Sequence, residues 1–260
     1  MAQRLIRLSN PQAAAGLYEG WQETLIWSAL EGAMGCIWAV SEQPKAALCE
    51  TGDLLFLAGA ADEPETRLLL EAWRQEREHF EAMVPRDLDC GVLIETFFAG
   101  KVKAGKRCAF HKGGEAFDLP ALQKMAANAP QGVRIAPFDR ALYHQALALE
   151  WARDFVSQFR DDDDYLRRGL GFAALYNGEL VGGASSYTCY SGGIEIQVET
   201  RSDWQRRGIA SACCAALILE CMKRGLYPSW DAANPVSAAL ARKLGYREAG
   251  LYSVWYMTHN

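Results

Sequence analysis

Residues 192–225 read GGIEIQVETRSDWQRRGIASACCAALILECMKRG, and this stretch decides the fold. Over 192–200 the residues alternate: Ile194, Ile196 and Val198 point one way, and Glu195, Gln197 and Glu199 the other. That is a strand with one apolar and one acidic face. From residue 210 the spacing predicts a helix to Arg224, closed by two basic residues and Gly225. Between them, RSDWQRRGIA carries the amides of residues 206 to 211 into the first turn of the helix, where they lack intrahelical acceptors. Free amides and the positive helix end make an anion site; Gly208 lets the backbone approach closely, and Ala210 keeps that approach open. Arg206 and Arg207 add charge.

Downstream, LYPSWDAA (226–233) predicts a strand, NPVSAALARKLG (234–245) a helix capped by Asn234 and closed by Gly245, and REAGLYSVWYM (247–257) one or two strands. Upstream, GVRIAPFD (132–139) predicts a strand and 140–159 one helix. In RDDDDYLRRG, Asp162 or Asp163 is expected to cap a short helix. The runs flanking Asn177-Gly178 predict a hairpin, because a type I′ turn needs positive φ at both central residues.

The N-terminal half predicts helix over 11–34 and strands at GCIWAVS, GDLLFLAGA and CGVLIETFF, with a helix between the last two. KVKAGKRCAFHKGGE (101–115) reads as a mobile basic loop, and MAANAPQG (125–132) as the boundary between an α/β domain over 1–130 and a second over 131–260. No internal repeat is evident.

The net charge of −5 argues against a nucleic-acid partner. No apolar run reaches a membrane span and no secretory leader is evident, so a soluble cytoplasmic protein is expected. The eight cysteines form no CxxC pair and read as reduced, mostly buried thiols; the four histidines have no metal-ligand spacing, so no metal is expected. Neither a P-loop nor a strand-linked GxGxxG is present.

Gln205, Gly208 and Ala210, together with Asn234 and Leu244-Gly245-Tyr246, resemble the GCN5-related N-acetyltransferase (GNAT) superfamily over roughly residues 133–257. Its pyrophosphate signature is Q/R-x-x-G-x-G/A, followed downstream by Asn and a helix ending Leu-Gly-Phe/Tyr. IEIQVET, GLYPSWDAAN and ALARKLGY look most like the branch that includes the zwittermicin-resistance acetyltransferase.

The resemblance implies an α/β fold with a mixed, mostly antiparallel sheet and acetyl-CoA as co-substrate. The edge from Val198 to Thr200 would bond the pantetheine, and Asn234 would touch it. Gln205, Arg206, Arg207, Gly208, Ile209, Ala210 and Ser211 would hold the pyrophosphate. The partner would be a small-molecule amine, with a homodimer left open. Glu195 or Glu199 would take the amine proton, Glu195 being favoured as the deeper and more desolvated, and a backbone N–H near Val198 would stabilise the oxyanion. Many members place a tyrosine acid seven residues after the asparagine; here that position is Ala241, with Tyr246 and Ser237 as substitutes outside the motif. The missing tyrosine also keeps a non-catalytic acyl-CoA sensor in view.

Overall fold

In a computed structural model of the chain, residues 4–113 and 117–258 are described. The chain divides into two compact units, residues 1–108 with 250–260, and residues 109–249. The compositional boundary at 125–132 lies inside the second unit. The helix before it, Leu119–Ala127, packs on the long helix of that unit and buries Leu122 there.

The first unit begins with β1 (Ile6–Arg7), a 3-10 helix (Pro11–Tyr18) and α1 (Thr24–Leu30). The helix expected over 11–34 is broken at Gly20, which has φ +76°. An antiparallel β2 (Cys36–Ala39), β3 (Ala47–Thr51) and β4 (Leu54–Ala58) follow, then α2 (Pro64–Glu76) and β5 (Ala82–Pro85), parallel to β4. CGVLIETFF is not a strand but most of α3 (Leu88–Phe97). Asp87 caps its start by accepting from the Cys90 amide, and Cys90, Leu93 and Ile94 are buried at helical spacing. Gly91 is needed because a Cβ there would lie 2.2 Å from the Trp255 ring. The basic stretch is likewise no loop: Val102–Phe110 form β6, where the Tyr256 ring lies against Gly105 and Lys106 donates to Ser253. Residues 114 and 115 of that stretch lie outside the described residues.

The second unit holds α4 (Leu119–Ala127), β7 (Val133–Pro137), α5 (Arg140–Leu147) and α6 (Asp162–Arg168). Next come β8 (Gly171–Tyr176), β9 (Glu179–Tyr190), β10 (Gly193–Thr200) and α7 (Ile209–Arg224). It closes with β11 (Tyr227–Ser229), β12 (Asp231–Ala232), α8 (Pro235–Leu244) and the start of β13 (Glu248–Met257). Asn177 and Gly178 have φ of 50° and 85°, as the hairpin between β8 and β9 requires. The helix expected over 140–159 stops at Leu147 and resumes as a 3-10 turn at Arg153–Phe155. This break carries Phe155 onto the sheet, where Gly183 leaves room for its ring.

α6 is capped by Asp161, one residue earlier than Asp162. The other three aspartates make ion pairs: Asp162 and Asp163 with Arg140, and Asp164 with Arg167 and Arg168. All eight cysteines are free, and seven are buried.

The two units repeat one order of elements. Each runs from a strand through helical segments to three antiparallel strands, a helix, a parallel strand and a helix. The first five strands lie in chain order in both sheets, β1-β2-β3-β4-β5 and β7-β8-β9-β10-β11. No residue pattern signalled this repeat, because the shared order is held by different side chains. Both sheets are mixed and mostly antiparallel, so the fold is α/β as expected.

Arg168, and then Arg167, hold the buried Asp164 carboxyl well below the usual carboxylate range. Its contribution to stability is therefore present above about pH 4 and lost as the pH falls below it. Asp164→Asn should lower stability at pH 7 by about 2 kcal/mol, the scale of hydrogen bonds to charged groups. Thermal melts from pH 7 to pH 3 should show the wild type losing that advantage; equal melting temperatures throughout would contradict it.

Candidate functional site

β10 is flanked by β9 along its whole length but by β11 only over Gly193–Glu195. Among the described residues no strand pairs with its other edge from Ile196 to Thr200. At about 3.3 Å per residue this open edge is about 16 Å long. The Arg201 amide donates to Val181 of β9, so by antiparallel alternation the amides of Val198 and Thr200 point to the open side. The Thr200 amide there donates to Glu199 Oε1 at 2.9 Å. Glu199 thus sits on the edge itself.

β11 diverges for local reasons. Pro228 has no N–H and lies on an edge strand. Its carbonyl accepts from the Tyr246 hydroxyl at 2.5 Å. Trp230 is buried, stacks near Tyr246 and donates to Ser237 Oγ at 3.1 Å, which turns the chain away. Tyr246 and Ser237 are therefore occupied in holding the fork. Burial pushes the Tyr246 phenol well above its ordinary value, which suits a structural hydroxyl rather than a proton donor. Ala241, at the tyrosine position, is fully buried.

Glu195 stands where the strands part. Its cross-strand neighbours are Thr188 on β9 and Ser229 on β11, and all three are buried. The register between β9 and β10 shifts after Glu195, leaving Tyr187 as the extra residue of a bulge. Glu195 and Glu199 do share the acidic face, but Glu195 is only 4% exposed. Beside it lies Lys112, whose side chain is 2% exposed. Its Nζ is 4.0 Å from Glu195 Oε2 and donates to Ser229 Oγ at 2.8 Å and the Trp230 carbonyl at 3.1 Å. The sequence reading missed Lys112 because it fell in a stretch taken for a loop, and no spacing ties it to Glu195.

At the other end of the open edge, the loop from Thr200 leads into α7. Gln205 Nε2 donates to the Thr200 carbonyl at 3.2 Å, which ties loop to strand. Arg206 has φ +60° and Gly208 φ +87°, so two left-handed residues wrap the backbone ahead of the helix. Arg207 donates to the Asp203 carbonyl and lies over the Trp204 ring, which in turn packs on Tyr176.

No side chain caps α7, and its first turn has no acidic residue. Every other described α-helix is capped by a carboxylate or amide, from Glu23, Glu63, Asp87, Asp118, Asp139, Asp161 or Asn234. The amides of Gly208, Ile209, Ala210 and Ser211 are thus left for an external anion. Lys243 reaches this turn from α8, donating to Ser211 Oγ at 3.1 Å; it is a second cation the sequence reading missed. Asn234 spends its side-chain oxygen on the Ser237 amide, leaving its NH₂ for other contacts.

The corresponding place in the first unit lacks both features. β5 pairs with β4 over Leu54–Leu57, so no comparable edge is open. Its following helix is capped by Glu63 and has Glu65 in its first turn, which repels an anion. No group of three or more His, Cys, Asp or Glu among the described residues converges as a metal site would.

The sequence profile of the GNAT acetyltransferase family matches residues 15–255, so the match takes in both units. The crystal structure of a GCN5-related N-acetyltransferase-like protein from Streptococcus suis is 40% identical, with a TM-score of 0.88 over 96% of this chain and 98% of that one. A GCN5-related N-acetyltransferase from Kribbella flavida shares the fold at 16% identity, with a TM-score of 0.57 over 97% of each chain. An uncharacterized N-acetyltransferase of Bacillus subtilis, YdfB, is 26% identical over 135 residues, 51% of each protein. The match thus spans about half of that relative's length.

A buried carboxylate beside a buried ammonium predicts strong coupling. Lys112→Met should cost about 3 kcal/mol, since it removes one member of a buried pair. In a double-mutant cycle with Glu195→Gln, the double variant should be more stable than the sum of the singles by about 1 kcal/mol or more. Additive losses in denaturant unfolding would contradict the pairing.

Proposed function

The chain belongs to the GNAT acetyltransferase family, and we propose that it transfers the acetyl group of acetyl-CoA to the amine of a small molecule within a ternary complex. One observation carries this reading: the open edge of β10 runs from the uncapped start of α7 to Glu195. A ligand with a diphosphate at one end and an amide-bearing arm fits that run. The arm would add as a strand, accepting from the Val198 and Thr200 amides after Glu199 has released the latter. The pyrophosphate would rest on the amides from Arg206 to Ser211, with Lys243 beside it. The thioester would then arrive at the fork beside Glu195, and Asn234 NH₂ would contact the arm.

The amine nitrogen attacks the thioester carbon, a C–N bond forms, and the C–S bond breaks. Glu195 takes the proton from the amine, directly or through one bridging water. The Val198 amide stabilises the oxyanion. With Ala241 in place of a tyrosine acid, the coenzyme leaves as the thiolate, which a thiol of moderate acidity permits. The acidic face of β10 and the net charge of −5 suit a cationic acceptor, antibiotic-like or amino-acid-like. Because β4 has no open edge and α2 is capped by Glu63, we assign one coenzyme per chain, held by the second unit.

Acetyl-CoA at a hundred times its Kd should stabilise the chain by about 2.7 kcal/mol. Calorimetric titration should give one site per chain, and Gly208→Val, which cannot keep φ +87° without strain, should weaken binding at least ten-fold. No thermal shift at millimolar coenzyme, or two equivalent sites, would contradict the assignment.

Turnover is tested by mass spectrometry of an amine panel. Glu195→Gln should lower kcat about 100-fold, with coenzyme affinity retained; an unchanged kcat would move the base elsewhere, Glu199 being next. Coenzyme binding without acetylation of any amine would favour the sensor reading.

A further inference from the structure

We infer that Lys112 is a positioning residue for this reaction: its buried ammonium fixes the Glu195 carboxylate at the closed end of the coenzyme slot and balances its charge there. The inference rests on the acetyl-transfer reading above. Lysines are almost never fully buried unless paired, and replacing a buried ion pair by apolar groups often costs nothing in stability. A lysine whose side chain is 2% exposed is therefore poorly explained by packing alone.

Its surroundings point to the fork. The His111 amide donates to the Arg247 carbonyl, and the His111 carbonyl accepts from the Tyr227 hydroxyl, which fixes the backbone just before Lys112. Ser229 Oγ and the Trp230 carbonyl, at the end of β11, then aim the ammonium at Glu195. Thr188 faces Glu195 from β9 and Ser229 from β11, with the Tyr246 phenol near and Tyr227 beyond it. Glu199 lies on the same face of β10. Arg153 and Asp154, in the 3-10 turn packed on β10, are exposed, and α7 brings the buried thiols of Cys214 and Cys221 to the sheet.

Without the ammonium the carboxylate loses the contact that orients it, so the loss should fall on turnover rather than on coenzyme binding. In the full-length chain, Lys112→Met should reduce kcat about ten-fold or more, with the KM for acetyl-CoA and coenzyme affinity unchanged. Ser229→Ala, which removes one tether of the ammonium, should lower kcat by a smaller amount, and it decides the matter should Lys112→Met not fold. In a Glu195→Gln background the residual rate should not respond to Lys112→Met. A loss confined to the KM for acetyl-CoA, an unchanged kcat in a folded Ser229→Ala, or the same loss in the Glu195→Gln background would overturn the inference while leaving acetyl transfer intact. If Glu195→Gln itself has no effect, the base assignment has failed instead.

Discussion

Three residues of parallel pairing hold the candidate site together, and the site exists because that pairing stops. Gly193–Glu195 match Tyr227–Ser229; beyond them β11 leaves, and for five residues β10 is paired on the β9 side alone. Everything proposed for the coenzyme follows from where this fork lies. It puts the amides of Val198 and Thr200 on the unpaired edge, a buried carboxylate at the apex, and an uncapped helix at the open end. The fork is maintained away from the slot, by Trp230 on Ser237 and by the Tyr246 hydroxyl on the Pro228 carbonyl. A substitution among these would act on catalysis through the angle of β11 rather than through contact with substrate.

The repeated order of elements gives an internal comparison. In the first unit the equivalent parallel strand stays with its neighbour, and a glutamate occupies the equivalent helix start. One chain therefore contains an open and a closed version of the same arrangement. The difference is small in covalent terms: a longer β10, a shorter parallel pairing, and glycine rather than glutamate at the helix cap.

Much of the second unit was legible because its signals are local. The alternation over 192–200, the Asn177-Gly178 turn, and Asn234 with Gly245 around α8 are each fixed by backbone sterics or capping within a few residues. The first unit was less so. The apolar run at 90–98 fits a buried strand or a helix, and only the Asp87 cap and the Trp255 ring over Gly91 decide it. The strand at 102–110 has few buried residues, so its basic composition concealed its alternation. Within the site, Glu195, Gly208 and Asn234 could be named from motifs. Lys112 and Lys243 could not, because their distances to Glu195 and Ser211 are set by the path of the folded chain rather than by spacing along it.

The claim on which the account turns is that coenzyme completes the open edge of β10. Residue-resolved amide hydrogen exchange, with and without acetyl-CoA, tests it directly. The account predicts that coenzyme slows exchange at Val198, Thr200 and Gly208–Ser211, while Leu54–Ala58 and the start of α2 are unchanged. Unaltered exchange at Val198 and Thr200 under saturating coenzyme, or new protection at the start of α2, would contradict it.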